Sequence, residues 1–174
     1  MQIDSYKKEF EQYFGNESNR DQMLSAVKLV HQVSRIFFIG NGGSNSIASH
    51  MMEDFAKIGL KKTFAFSDPA LITCYANDYG YENAMAEWLK VHFEKNDLLV
   101  AISSSGKSPN ILNAVNIARN AGGKIITLSG FEKGNPLSTL GEINFYLPAK
   151  SYGIVECYHQ VILHIILDSM NEVQ

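Results

Sequence analysis

Four serines in six residues, Ser103-Ser-Ser-Gly-Lys-Ser108, directly follow the apolar run Leu98–Ile102. Ser108 stands where a helix N-cap would fall and Pro109 at the first helical position. One cap needs one hydroxyl, so Ser103, Ser104 and Ser105 are left free to donate to the oxygens of an anion. A second apolar run, Ile36–Ile39, ends in Gly40-Asn-Gly-Gly-Ser44. Its missing side-chain bulk lets a ligand reach the backbone, and the following helix turns its N–H groups and positive dipole end toward that ligand. The plain alternative is two turns with a capping serine. It is weaker for the serine run than for the glycine loop, and the two together point to an anion site.

Two better-known phosphate motifs fail. The dinucleotide pattern G-x-G-x-x-G begins at Gly40 and Gly42 but meets Asn45 where its third glycine belongs. The Walker pattern ends correctly at Gly106-Lys107-Ser108 but has Ala101 as its first position. The next apolar run, Lys124–Leu128, leads to Ser129 and Gly130 rather than to a magnesium-binding acid. A site that captures phosphate mainly with serine hydroxyls suits a monophosphate better than a nucleoside triphosphate.

A second set of groups could move protons or hold a metal. His50 and Asp54, with Glu53 beside them, are one helical turn apart, the i, i+4 spacing that lets two side chains share a proton or an ion. Glu156, His159 and His164 lie in a heavily apolar stretch, where ionisable groups need partners. Glu156 and His164 are about 80° apart around an ideal helix and about 12 Å along it, which permits convergence on one ion without demanding it. A solvated His–Asp pair and scattered polar positions remain the alternative. His31 and His92 read as surface residues, and Cys74 and Cys157 as small buried hydrophobes rather than a disulfide or zinc framework.

The elements that must position these groups alternate. Amphipathic helices are expected at about 3–14 and 21–34, with residues 16–21 as a loop. Strands follow at 36–39, 63–66, 97–102, 124–128 and 143–147. Helices are expected at 44–58, 69–76, 81–95, 109–121 and 153–170. This order implies an α/β sandwich around a largely parallel sheet, with ligands beyond the carboxyl ends of the strands. The two N-terminal helices precede every strand, so they pack outside the domain or against a partner subunit. With 174 residues, 45% hydrophobic, the chain fits one domain, 1–174. Its net charge of −3 leaves no basic footprint for nucleic acid. No apolar run reaches about 18 residues and the N-terminus lacks a signal-peptide core. Nucleic-acid and membrane partners are therefore not expected, and the cytoplasm is the expected location.

These segments together resemble the sugar isomerase (SIS) domain family, and within it the phosphoheptose isomerases. The resemblance rests on Gly40-Asn-Gly-Gly-Ser44 with His50, Ala76-Asn-Asp-Tyr-Gly80, Ile102-Ser-Ser-Ser-Gly-Lys-Ser-Pro-Asn110, and Glu156…His159…His164. It covers residues 36–167. It implies a three-layer, flavodoxin-like α/β fold with a five-stranded parallel sheet, a homotetramer with sites between subunits, and an assembly role for residues 1–34. The implied activity is aldose–ketose isomerisation of a sugar phosphate, most closely sedoheptulose 7-phosphate to a heptose 7-phosphate. Substrate contacts carry over to Asn41, Gly42, Gly43, Ser44, Asn77, Asp78, Ser103, Ser104, Ser105, Ser108 and Glu156. Zinc ligands carry over to His50, Asp54, Glu156 and His164, and the catalytic base and acid to Asp54 and His164. Two positions depart from the family. Asp54 replaces a glutamate, which moves the acceptor by about 1.5 Å, and Glu156 replaces a glutamine, which adds a charge. The competing expectation is a non-catalytic SIS protein that senses a sugar phosphate or binds a partner such as the initiator DnaA.

Overall fold

The computed structural model describes residues 2–170; Met1 and residues 171–174 of the expected 1–174 span lie outside the described residues. In chain order the elements are α1 (Gln2–Phe14), α2 (Glu17–Gln32), β1 (Arg35–Ile39), α3 (Gly43–Lys57), β2 (Lys62–Ala65), α4 (Pro69–Tyr79) and α5 (Tyr81–His92). They continue with β3 (Leu98–Ser103), α6 (Pro109–Asn120), β4 (Lys124–Gly130), a 3₁₀ turn (Pro136–Thr139), β5 (Ile143–Leu147) and α7 (Tyr152–Ser169). The five strands form one sheet in the order β2-β1-β3-β4-β5, every neighbouring pair parallel. This is the flavodoxin-like order, and its connections change direction between β1 and β3.

Side chains of a strand alternate between faces, so the sheet carries two cores. Phe38, Val100, Ile102, Leu128 and Phe145 face a layer built from α1, α2, α3 and α7. Phe37, Ile39, Leu99, Ala101 and Ile125 face α5 and α6, with α4 packed at the margin. Phe37 and Phe38 are both fully buried, each contributing roughly 1.5–3 kcal/mol of burial. β3 is buried along its whole length, which explains its unbroken apolar run.

Several boundaries differ from expectation. α2 starts at Glu17 rather than 21, because Asn16 caps it by accepting from the Ser18 N–H at 2.9 Å; residues read as a loop are its first turn. β2 and β3 are shifted by one residue, and α4 runs on to Tyr79, so Asn77 and Asp78 sit on its last turn rather than in a loop. α1 and α2 pack on the domain itself: Met23, Ala26, Val27 and Val30 are buried in the α7-side core. Cys74 and Cys157 are exposed, against the expectation of burial; on their helices they fall on the strip facing away from the sheet. His31 and His92 are exposed as expected.

Candidate active site

The glycine loop leaves β1 and the serine loop leaves β3, and these strands are neighbours. Both loops therefore meet at the point where the connections diverge. A pocket of about 140 Å³ forms there, lined by Asn41, Ser44, Ser103, Ser104, Ser105, Ser108, Tyr152 and Glu156. Three helices begin at it: α3 at Gly43, α6 at Pro109 and α7 at Tyr152. None of the three has a side-chain cap, whereas α2 and α4 are capped by Asn16 and Asp68. Their N-cap side chains thus leave the first N–H groups uncapped, and three positive dipole ends converge on a pocket with no lysine or arginine in its lining, where the one carboxylate is that of Glu156. Ser108 occupies the N-cap position as expected, but its hydroxyl lies 3.3 Å from Ser103 Oγ instead of capping. Ser104 Oγ is buried without a hydrogen-bond partner, and such a group costs stability unless a ligand accepts from it.

The loop is braced from below. Gly106 has φ +62°, and a Cβ there would collide with the Asn135 side chain. Buried Asn135 donates to Ser129 Oγ and to the Gly130 carbonyl, at 3.2 and 3.1 Å. Asn41 is held by reciprocal amide bonds with Asn110 (3.0 and 2.8 Å) and by the Tyr81 hydroxyl (2.7 Å). Asn110 and Tyr81 were missed in the sequence because they sit on α6 and α5, and only the fold brings them to β1.

α3 and α7 pack side by side and leave the pocket together. Glu156, Gln160 and His164 follow at i, i+4 and i+8 on α7, one strip beside the buried Val155, His159 and Leu163. His50 and Asp54 occupy the facing strip of α3. His50 Nε2 is 3.2 Å and His164 Nδ1 3.8 Å from the same Asp54 oxygen. The two rings meet edge to face at 5.3 Å. Asp54 is largely covered, while half of the His50 side chain is exposed, so the group is open on one side. Asp54, rather than Glu53, faces both imidazoles; Glu53 lines an open cleft with Gly42, Asn45, Ser46, Ser49, His50 and Ser67.

His50, Asp54 and His164 each offer a donor atom within 4.8 Å of the others, two nitrogens and one oxygen, a set that fits a divalent ion such as zinc. The fourth expected ligand, Glu156, does not join them. Its carboxylate lies against Gly43 at the N-terminus of α3, so close that a Cβ at Gly43 would strike it, and it lines the serine pocket instead. The physical reason is the two turns of helix between Glu156 and His164, about 12 Å, together with the attraction of a helix N-terminus for a carboxylate. Asn77 and Asp78 are exposed, hydrogen-bonded to each other at 2.9 Å, and do not line the serine pocket. His159 points the other way, into the core, with Nε2 3.3 Å from the Ser129 carbonyl; burial lowers its pKa to about 4. Gln160 lies between His50 and His164 and was also missed, although a polar residue midway between Glu156 and His164 on an apolar helix was a usable signal.

The SIS domain family matches residues 14–130. The chain is 32% identical over 183 aligned residues to the phosphoheptose isomerase of Fusobacterium nucleatum, spanning 98% of this chain and 94% of that one. With the phosphoheptose isomerase of Vibrio cholerae it shares 29% identity, over 90% of this chain and 87% of the relative. Among solved structures, the phosphoheptose isomerase GmhA of Neisseria gonorrhoeae superposes with a TM-score of 0.88 at 23% identity, covering 99% of this chain and 96% of that one. A phosphoheptose isomerase of Francisella tularensis superposes with a TM-score of 0.85 at 25% identity, covering 98% and 97%.

Proposed function

Because the chain belongs to the SIS domain family and is a phosphosugar isomerase, we propose that it interconverts sedoheptulose 7-phosphate and an aldoheptose 7-phosphate. The observation that carries the phosphate end is the convergence of three uncapped helix N-termini and the serine hydroxyls on one pocket. The reading of the other end rests on Asp54 between two imidazoles, about three helical turns from the pocket along α3 and about two beyond Glu156 on α7.

In this reading Ser103, Ser104, Ser105 and Ser108 bind the phosphate, and Asn41, held by Asn110 and Tyr81, meets the sugar with Gly42, Gly43 and Ser44. Asn77 and Asp78, exposed on the last turn of α4, reach substrate from outside the serine pocket, and Glu156 contacts a sugar hydroxyl between the two ends. The chemistry needs one base and one acid. Asp54 takes the proton from C1 of the ketose, and that electron pair forms the C1–C2 double bond of a cis-enediol while the C2 oxygen takes a proton from His164. Return of the Asp54 proton to C2, with loss of the O1 hydrogen to His164, completes the aldose. His50, Asp54 and His164 would hold zinc, and the ion would supply polarisation of the substrate carbonyl.

The whole span 1–174 acts as one domain in this proposal. It assembles as a cytoplasmic homotetramer with residues 1–34 at subunit contacts and neither nucleic acid nor membrane as partner. Exposed Ile3 and Leu24 on α1 and α2 support that role, and no helix among the described residues is long and apolar enough to cross a membrane.

The test is conversion of sedoheptulose 7-phosphate, with added zinc and after chelation, by the native chain and His164→Gln. The native chain should form aldose, and the variant should lose turnover while retaining sugar-phosphate binding. Full turnover by the variant, or no product from the native chain under any condition, would overturn the assignment.

A further inference from the structure

Each imidazole of the cluster has two ring nitrogens, and the structure gives both of them a neighbour. The inner pair, His50 Nε2 and His164 Nδ1, faces Asp54. The outer pair faces one residue: Gln160 Nε2 is 2.9 Å from His164 Nε2 and 3.5 Å from His50 Nδ1. The same amide nitrogen contacts Met51 Sδ at 2.9 Å on the α3 side. Asp54, His50, Gln160 and His164 therefore close a ring in which the only two non-imidazole members sit on opposite sides.

We propose that Gln160 is the positioning residue that decides which nitrogens of His50 and His164 carry hydrogen. This deepens the reading of the same site, but its logic needs only the four side chains. A neutral imidazole carries hydrogen on one nitrogen and a lone pair on the other. An amide nitrogen can only donate, so the outer nitrogens it meets are acceptors and the hydrogens sit on the inner nitrogens, directed at the Asp54 carboxylate. His164 is thereby held with its hydrogen on Nδ1, the form less favoured by a free imidazole. When a cation takes the inner nitrogens, the hydrogens belong on the outer ones, and the reversed amide offers them its oxygen. Metal-bound histidines commonly rely on such an outer partner. Leucine could play neither part, whereas glutamate could accept from both outer nitrogens.

Two measurements decide it on protein free of substrate. Long-range ¹H–¹⁵N spectra of the metal-free protein, recorded at a pH where they report neutral rings, should show His164 protonated on Nδ1 in the native chain and on Nε2 in Gln160→Leu. Competition with a chromophoric chelator should show zinc affinity reduced about 10–100-fold in Gln160→Leu and restored to within about threefold of native in Gln160→Glu. Native-like thermal unfolding qualifies each variant, and Gln160→Met serves if the leucine variant fails to fold. An unchanged His164 tautomer, or a zinc affinity within twofold of native in the apolar variant, overturns the proposal. Because neither readout involves turnover, a failed isomerase assay and a failed positioning role are separable.

Discussion

Acidification should weaken this fold in good part through His159. Its ring is fully buried on α7, Nε2 bonded to the Ser129 carbonyl and Nδ1 without any partner. A second proton would place an N–H and a positive charge where nothing accepts them. Burial, opposed only in part by that carbonyl, moves the pKa from 6.5 down to about 4. A depressed histidine pKa means that between these values the unfolded chain binds more protons than the folded one, so stability falls with falling pH. The contribution is fully present above pH 6.5 and is lost progressively down to pH 4. At about 1.4 kcal/mol per pH unit the full loss is about 3 kcal/mol, most of it spent by pH 4.5. Thermal unfolding at fixed protein concentration, at pH 7.5 and 4.5, compares the native chain with His159→Gln. The glutamine keeps a donor for Ser129 but cannot titrate, so carboxylate effects common to both cancel. The native chain should lose about 5–10 °C more than the variant on acidification. Equal losses, or a larger loss in the variant, would refute the argument.

Ser104→Ala should separate binding from stability. Removing a buried hydroxyl that has no partner should raise the unfolding free energy by about 1 kcal/mol while weakening phosphate or sugar-phosphate binding about tenfold. Calorimetric titration and urea unfolding check the two directions. Gly106→Ala should destabilise by about 2–4 kcal/mol, since it adds a left-handed backbone penalty and a collision with Asn135 beneath the serine loop. An unchanged urea midpoint would mean that the loop does not depend on this brace.

Much of the architecture was legible because parallel strands buried on both faces announce themselves. Ile36–Ile39 and Leu98–Ile102 are continuous apolar runs that end in loops of unmistakable composition, and their periodicity needs no knowledge of neighbours. The start of α2 was less visible because Asn16, a loop-favouring residue, acts there as a cap. Cys74 and Cys157 are exposed against expectation for a related reason: residue type sets a tendency to be inside, but which helix strip faces the sheet is settled by packing.

At the site, local spacing alone determined the pairing of His50 with Asp54, because residues i and i+4 share a helix face wherever that helix sits. Local composition likewise determined that the serine loop suits an anion. The tertiary structure decided everything that depends on distance between separate elements. It set β1 beside β3, which merges the two loops into one pocket and points three helix N-termini into it. It laid α7 along α3, which brings His164 to Asp54 and inserts Gln160 between the imidazoles. It also drew Glu156 away from them, toward Gly43, because two turns of a rigid helix cannot be bridged by one side chain. Sequence spacing measures separation along one helix, and a site built between two helices needs their packing as well.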